Sequence, residues 1–401
     1  MSPSSLSRRA ALRSGCLQCL GMAGLFSGLP ALAQETIPAQ PDAAAAELPT
    51  RFTRPALDTD EGGLWALMDR QETRLRRSPF VVRDSQLTQY LQDLTCRLAG
   101  EHCPDVRTYL VRTPLFNANM APNGMMQIWT GLLLRMENEA QLAAVLGHEI
   151  GHYLERHSLE RLRDAKSRAA FGQFLGLFGA IGSLGQLGLL AGSFSFSREH
   201  ETRADRLGMQ LLQRAGYDGQ QAAQVWDNLL GELKVTGGEE AGRRSPMMAT
   251  HPPVETRRDD LLKLAGSTSG QTGAKEFQRV TTAHRFDWLQ DEIKRGQYEE
   301  SLILFDRMLK QHAADAQLLF ARGEVYRQRN GTADDERALT DLTHATRLQQ
   351  PPALAYRSLG LLHKQRMEKA EAARAFEQYL TATPDAADTH LIKTYIAELT
   401  S

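Results

Sequence analysis

Between residues 58 and 100 the apolar positions recur at helical spacing. Leu64, Leu67 and Met68 mark one helix, and Leu87, Leu91, Leu94 and Leu98 a second. The period then shortens. Val106 to Arg112 alternates and predicts a strand. Phe116 to Met120 and Met125 to Trp129 flank a turn at Pro122-Asn123-Gly124, a hairpin signal. Thr130-Gly131 breaks the strand and the helical period returns. Residues 138–160 predict one amphipathic helix, with Leu142, Val145, Leu146 and Ile150 on its apolar face. Phe171 to Ser197 is uncharged and rich in Gly. A further helix is predicted over about 198–215 and a loop over 236–247. Thr250-His251-Pro252-Pro253 opens another helix, and residues 266–274 read as a linker.

From about 276 onward the helical pattern repeats. Tyr356, Leu359, Gly360, Ala372, Phe376 and Pro384 stand at tetratricopeptide spacing, as do Phe320, Gly323 and Tyr326 one repeat earlier. Ala338, Leu342 and Ala345 mark that earlier repeat's second helix, and Gly296, Tyr298, Ser301 and Phe305 a degenerate copy before it. Ser301 to Ala338 is 37 residues and Ala338 to Ala372 is 34, a helix-turn-helix period. Residues 387–399 are expected to cap the last apolar face.

Composition places these elements in a globular chain of 401 residues, 42% hydrophobic and 24% charged. A net charge of −1 leaves no basic excess for a phosphate backbone, which disfavours a nucleic-acid binder. Residues 1–33 read as a cleaved export signal: Arg8, Arg9 and Arg13, then an uncharged apolar run from Cys16 to Leu29, then Ala31-Leu32-Ala33. The general secretory and twin-arginine routes both stay open, and the periplasm is the expected compartment. Removing three Arg and no acid leaves 44 basic against 48 acidic residues. Residues 34–50 form a flexible N-terminus. Cys96 and Cys103 remain as an even pair in an oxidising compartment, and a single disulfide is expected.

The chemistry lies in His148-Glu149-Ile150-Gly151-His152. Residues i and i+4 share one helix face, so both imidazoles can reach one metal, and Glu149 beside them can take a proton from water. Gly147 and Gly151 flank these residues and would let another element approach closely. A third ligand is expected on the helix carrying Ser197 to Asp205. Glu201 and Asp205 share a face there, and from spacing alone Glu199, His200 and Glu201 compete. His157 reads as a solvated helix-end residue.

The HEIGH helix, the downstream SRxxExxAD helix and the C-terminal repeats together resemble the BepA (YfgC)-like periplasmic metallopeptidases. These are gluzincins, related to HtpX and the CAAX prenyl proteases. The resemblance covers most of residues 50–400. It implies one zinc ion per chain held by His148, His152 and Glu201, with Glu149 as general base and Asp205 behind the ligands. Arg203 stands where the family often carries Glu. The family's substrate-pairing edge strand falls on Asn117, Ala118, Asn119 and Met120, which suggests an endopeptidase. Thr250-His251-Pro252 matches the family's T-H-P segment. His251 could fill the metal's open position and hold the enzyme latent, and Arg258 is a candidate oxyanion stabiliser.

A single membrane crossing by 171–197 would put Glu201 on the opposite side from His148 and His152, and a hairpin needs about 40 residues. The segment is therefore expected to be a lid or a peripheral membrane contact. The expected fold is α+β. A mostly helical gluzincin metallopeptidase domain with a small β-sheet (51–265) leads through a linker (266–275) to an all-α tetratricopeptide solenoid (276–401). The expected function is a periplasmic zinc endopeptidase that cleaves misassembled or unfolded envelope proteins, with outer-membrane β-barrel proteins or their assembly machinery as partners. The alternative is a repeat-based chaperone or adaptor with a latent protease site.

Overall fold

Polar caps set the helix starts around the site. In the computed structural model, which describes residues 48–167, 196–235, 246–251, 256–267 and 269–401, Thr59 opens α1 (Asp60–Arg77) and Asp84 opens α2 (Ser85–Ala99). Each side chain accepts a first-turn N–H that the helix itself leaves unpaired. Residues 1–33, read as an export signal, and nearly all of the Gly-rich stretch 171–197 lie outside the described residues. A disulfide joins Cys96, in the last turn of α2, to Cys103.

The strands follow the alternation. β1 (Arg107–Val111), β2 (Ala118–Met120) and β3 (Met125–Trp129) form one sheet in the order β1-β3-β2. β2 and β3 make the expected hairpin, with Met120 opposite Met126, around a turn where Gly124 has φ +86°. β1 joins β3 in parallel, Arg107 opposite Met125. All of β3 is buried, as befits a central strand. β2 is the edge on the far side of β3 from β1.

β3 runs directly into α3 (Thr130–Arg135), and Asn138 then caps α4 (Glu139–Leu154) by accepting from Gln141 N–H at 2.9 Å. The single helix expected over 138–160 is two. Arg156 has φ +58°, a left-handed conformation, and α5 (His157–Ser167) starts afresh beyond it. Such a residue costs roughly 1–2 kcal/mol unless its surroundings hold it. Here the guanidinium pairs with Glu61 and lies 4.8 Å from the Phe52 ring centroid.

α6 (Arg198–Arg214), capped by Ser197, lies along α4. Glycine makes this approach possible. A Cβ on Gly151 would sit 2.8 Å from Ala204 O, and one on Gly208 would sit 2.8 Å from His148 N. The two backbones nearly touch, and Glu201 and Asp205 are carried against the two histidines. α7 (Gln220–Lys234), the short α8 (Pro246–Thr250) and α9 (Arg257–Ala265) complete the surroundings of the site.

The helical remainder runs α10 (Ala274–Lys294), α11 (Tyr298–Gln311), α12 (Ala316–Arg329), α13 (Asp334–Arg347), α14 (Ala353–Gln365), α15 (Lys369–Ala382) and α16 (Thr389–Thr400). Consecutive helices pack on each other from α11 on. Gly360 receives Phe376, whose ring would lie 2.6 Å from a Cβ there. Ile392 of α16 buries against Ala372, Phe376 and Tyr379. Residues 269–273, read as a linker, are pinned down: Asp218 N–H donates to Gln271 O, Gln271 N–H to Gly216 O, and Ala140 N–H to Thr272 O. One hydrophobic core continues from Leu87 to Ala375 across this point. The fold is mostly helical with one small sheet, as expected. Among the described residues no helix is long and apolar enough to cross a membrane.

Candidate metal centre

His148 and His152 lie one turn apart on α4, both buried, with their Nε2 atoms 3.0 Å apart. The first turns of α6 bring Glu201 to them. Its Oε1 is 3.5 Å from His152 Nε2, and its Oε2 is 3.6 Å from His148 Nε2. His251, just after α8, is buried as well. Its Nδ1 stands 2.9 Å from Glu201 Oε1 and 3.3 Å from His148 Nε2. One donor atom from each of these four residues falls within 4.8 Å of all the others. Of the three candidates on α6, the structure brings Glu201 to the two histidines. Glu199 is exposed, and His200 turns away to Glu160 at 2.9 Å.

This donor set fits a divalent cation. Among the described residues Glu201 Oε2 is buried without a hydrogen bond, since Arg257 Nη1 approaches to 2.8 Å but out of line. Two imidazoles and one carboxylate converge where no protein donor satisfies them all, which is the ligand chemistry of a catalytic metal. Burial pushes the Glu201 carboxyl up, but His251, His152 and His148 outweigh it and hold the group well below the usual range. Burial pushes His152 well down, favouring the neutral imidazole that binds metal.

Asp205 stands behind the cluster, its Oδ1 2.9 Å from His148 Nδ1. A proton on Nδ1 donates to that carboxylate and leaves the Nε2 lone pair facing inward. Arg257 grips Asp205 with two hydrogen bonds, at 2.8 and 2.7 Å, and lies 4.2 Å over the Trp226 ring. The sequence reading passed over Arg257 in favour of its neighbour, and this is a correction. Arg258 is exposed and pairs with Asp227 of α7 and with its neighbour Asp259, and it is not among the side chains brought to the cluster. A signal was present: Arg257, Leu261 and Ala265 share one face at i, i+4 and i+8, and all three are buried.

Glu149 is buried beside His148. Among the described residues its Oε1 has no hydrogen-bond partner, with His251 Nε2 3.5 Å off. Burial raises its carboxyl above the usual range. His157 is the second correction. It is fully buried, not solvated, and its Nδ1 lies 2.8 Å from His152 Nδ1. Burial first, then His200 and Arg203, pushes it down to about 3. Arg203 points away to Glu155 and Glu160. Asn117, Ala118 and Met120 are buried and Asn119 half-buried, on or next to the edge strand β2, which packs on α4. Among the described residues no strand pairs with its outer side.

Residues 82–265 match the model of peptidase family M48, and the matched stretch holds every residue of the cluster. M48 peptidases depend on a metal. Over 209 residues the chain is 32% identical to the beta-barrel assembly-enhancing protease of Escherichia coli (strain K12), covering 48% of this chain and 42% of that protein. Its counterpart in Yersinia pestis is 31% identical over 241 residues, 54% of this chain and 48% of its own. The mitochondrial metalloendopeptidase OMA1 of Arabidopsis thaliana is 34% identical over 178 residues, 42% and 35% of the respective chains. The chain thus spans less than half the length of these curated relatives.

Proposed function

We propose that this protein is a zinc-dependent endopeptidase of the bacterial periplasm that cleaves misassembled or unfolded envelope proteins during outer-membrane β-barrel assembly. The observation that carries the reading is the buried convergence of His148, His152 and Glu201, with Glu149 beside it. Those three residues would hold the metal. Zinc held there would supply Lewis acidity and would lower the pKa of water to roughly 7. Glu149 accepts the proton as water adds to the carbonyl carbon, and returns it to the amine as the C–N bond breaks. Asp205, itself held by Arg257, keeps the His148 ring in place. The free edge of β2 takes an extended substrate strand. The relatives' name supports the client class, and the signal-like N-terminus supports export. The helix pairs after residue 276 support tetratricopeptide repeats that bind clients or the assembly machinery.

A second reading shares the site. His251 sits among the metal-binding side chains, which favours a latent enzyme whose repeats act as chaperone or adaptor. The deciding experiment is complementation of a strain lacking the gene, with export verified by fractionation. Wild type is expected to clear stalled barrel precursors, and Glu149→Gln to leave them. Full clearance by Glu149→Gln would overturn the peptidase reading in favour of the adaptor.

A further inference from the structure

The His157 imidazole has no part in the reaction described above, yet it touches a ligand. His152 Nε2 faces His148 and Glu201, at 3.0 and 3.5 Å, so its other nitrogen is the one 2.8 Å from His157 Nδ1. A hydrogen bond between two Nδ1 atoms holds one proton. If His152 Nδ1–H donates, its Nε2 presents a lone pair to the cluster. If His157 donates instead, neutral His152 carries its proton on Nε2 and that lone pair is gone.

We propose that His157 accepts this hydrogen bond and fixes His152 in its metal-binding tautomer, as Asp205 does for His148. The inference rests on the metal-centre reading above. His157 is a positioning residue, and the backbone is shaped to place it. On a continuous helix a residue five positions on is turned by about 140° and could not face His152. The left-handed Arg156, held by Glu61 and Phe52, ends α4 and brings the first residue of α5 back onto it. Both rings are clamped. Phe196 stacks on His152 at 3.9 Å between centroids, and His200 stacks on His157 at 4.4 Å. Accepting at Nδ1 puts the His157 proton on Nε2, which is buried and free of any hydrogen-bond partner among the described residues. The Glu160 carboxylate groups with His157 and His200 within 4.8 Å, a favourable setting for that N–H. A second metal held by these three residues is opposed by Arg203, whose Nη1 already lies 3.3 Å from Glu160.

The test uses the full chain. Zinc and cobalt(II) affinities are measured by chelator competition for wild type, His157→Phe, His157→Asn and His148→Ala, with circular dichroism confirming the fold. Phe keeps the ring volume without an acceptor, whereas Asn Oδ1 can accept in place of Nδ1. His157→Phe is expected to bind metal about 10–100-fold more weakly and to alter the cobalt d–d bands, with Asn restoring affinity to within about threefold of wild type. Unchanged affinity in a folded His157→Phe would overturn the proposal. So would two cobalt ions per wild-type chain, one of them lost in His157→Phe, because His157 would then be a ligand. Should His157→Phe not fold, long-range ¹⁵N spectra of histidine-labelled metal-free wild type decide: a proton on His152 Nδ1 is expected, and one on Nε2 overturns it. Absence of metal from wild type would instead overturn the metal-centre reading itself.

Discussion

At the scale of single residues, Glu149 and Glu201 are buried carboxylates given opposite tasks by their neighbours. Glu201 faces three imidazoles that favour its ionised form, which suits the proposed ligand role. Glu149 has one oxygen without a hydrogen bond among the described residues and a raised pKa, which suits a group that takes and returns a proton. Glu149→Gln is therefore expected to lower cleavage by about 10²–10⁴-fold while retaining metal. Glu201→Gln is expected to lose the metal, and metal analysis after dialysis separates the two. The HExxH spacing made His148, Glu149 and His152 legible because i and i+4 fix a helix face. Arg257 was not read, and His157 was read as solvated although it is buried. Choosing Arg257 over Arg258 requires the rotation of α9, which Leu261 and Ala265 set by burial. His157 depends on a turn that no Gly or Pro announces.

At the scale of elements, the metal site depends on two helices whose backbones nearly meet. Gly208→Val would drive side-chain atoms into the α4 backbone at His148. Overpacking of this kind costs about 1–3 kcal/mol. The expected result is a lower Tm together with weakened metal binding, since α6 carries Glu201 and Asp205. A Tm within error of wild type would show that the helices have slack. The close approach was anticipated from Gly147 and Gly151, and the β2–β3 hairpin from Pro122-Asn123-Gly124 between two apolar runs. The place of β1 was not, because pairing across a sheet is settled by which faces the helices bury. The break at residues 155–156 was missed because apolar period alone runs straight through it.

At the scale of the whole molecule, a buried ionic network ties the region that matches the M48 family to the helices that follow. Arg135 of α3, 4% exposed, reaches Glu232 of α7 at 2.7 Å and Glu292 of α10 at 2.9 Å. Arg307 of α11 reaches Glu232 at 2.8 Å, and Arg295 reaches Glu292 at 2.8 Å. Removing one partner strands buried charge, so Arg135→Met is expected to cost about 3–5 kcal/mol in urea unfolding. The Gly/Ser-rich run 266–274 suggested a linker between two domains. The pinned residues 269–273 and the continuous core show why a Gly/Ser-rich stretch does not by itself mark a flexible joint. His251 belongs to this scale too, because α6 and the segment after α8 meet only through the fold. His251→Ala is expected to raise cleavage if His251 keeps the enzyme latent, and unchanged or lower activity would assign it another role.

The most direct measurement is cleavage of an unfolded outer-membrane barrel protein by the zinc-loaded mature chain, with wild type, His251→Ala and His251→Ala/Glu149→Gln side by side and the fragments identified by mass. Internal cuts by wild type or His251→Ala, lost in the double variant and on chelation, are the expected result. No cleavage by either active-site-intact form, with zinc verified in the protein, would contradict the assignment as an endopeptidase.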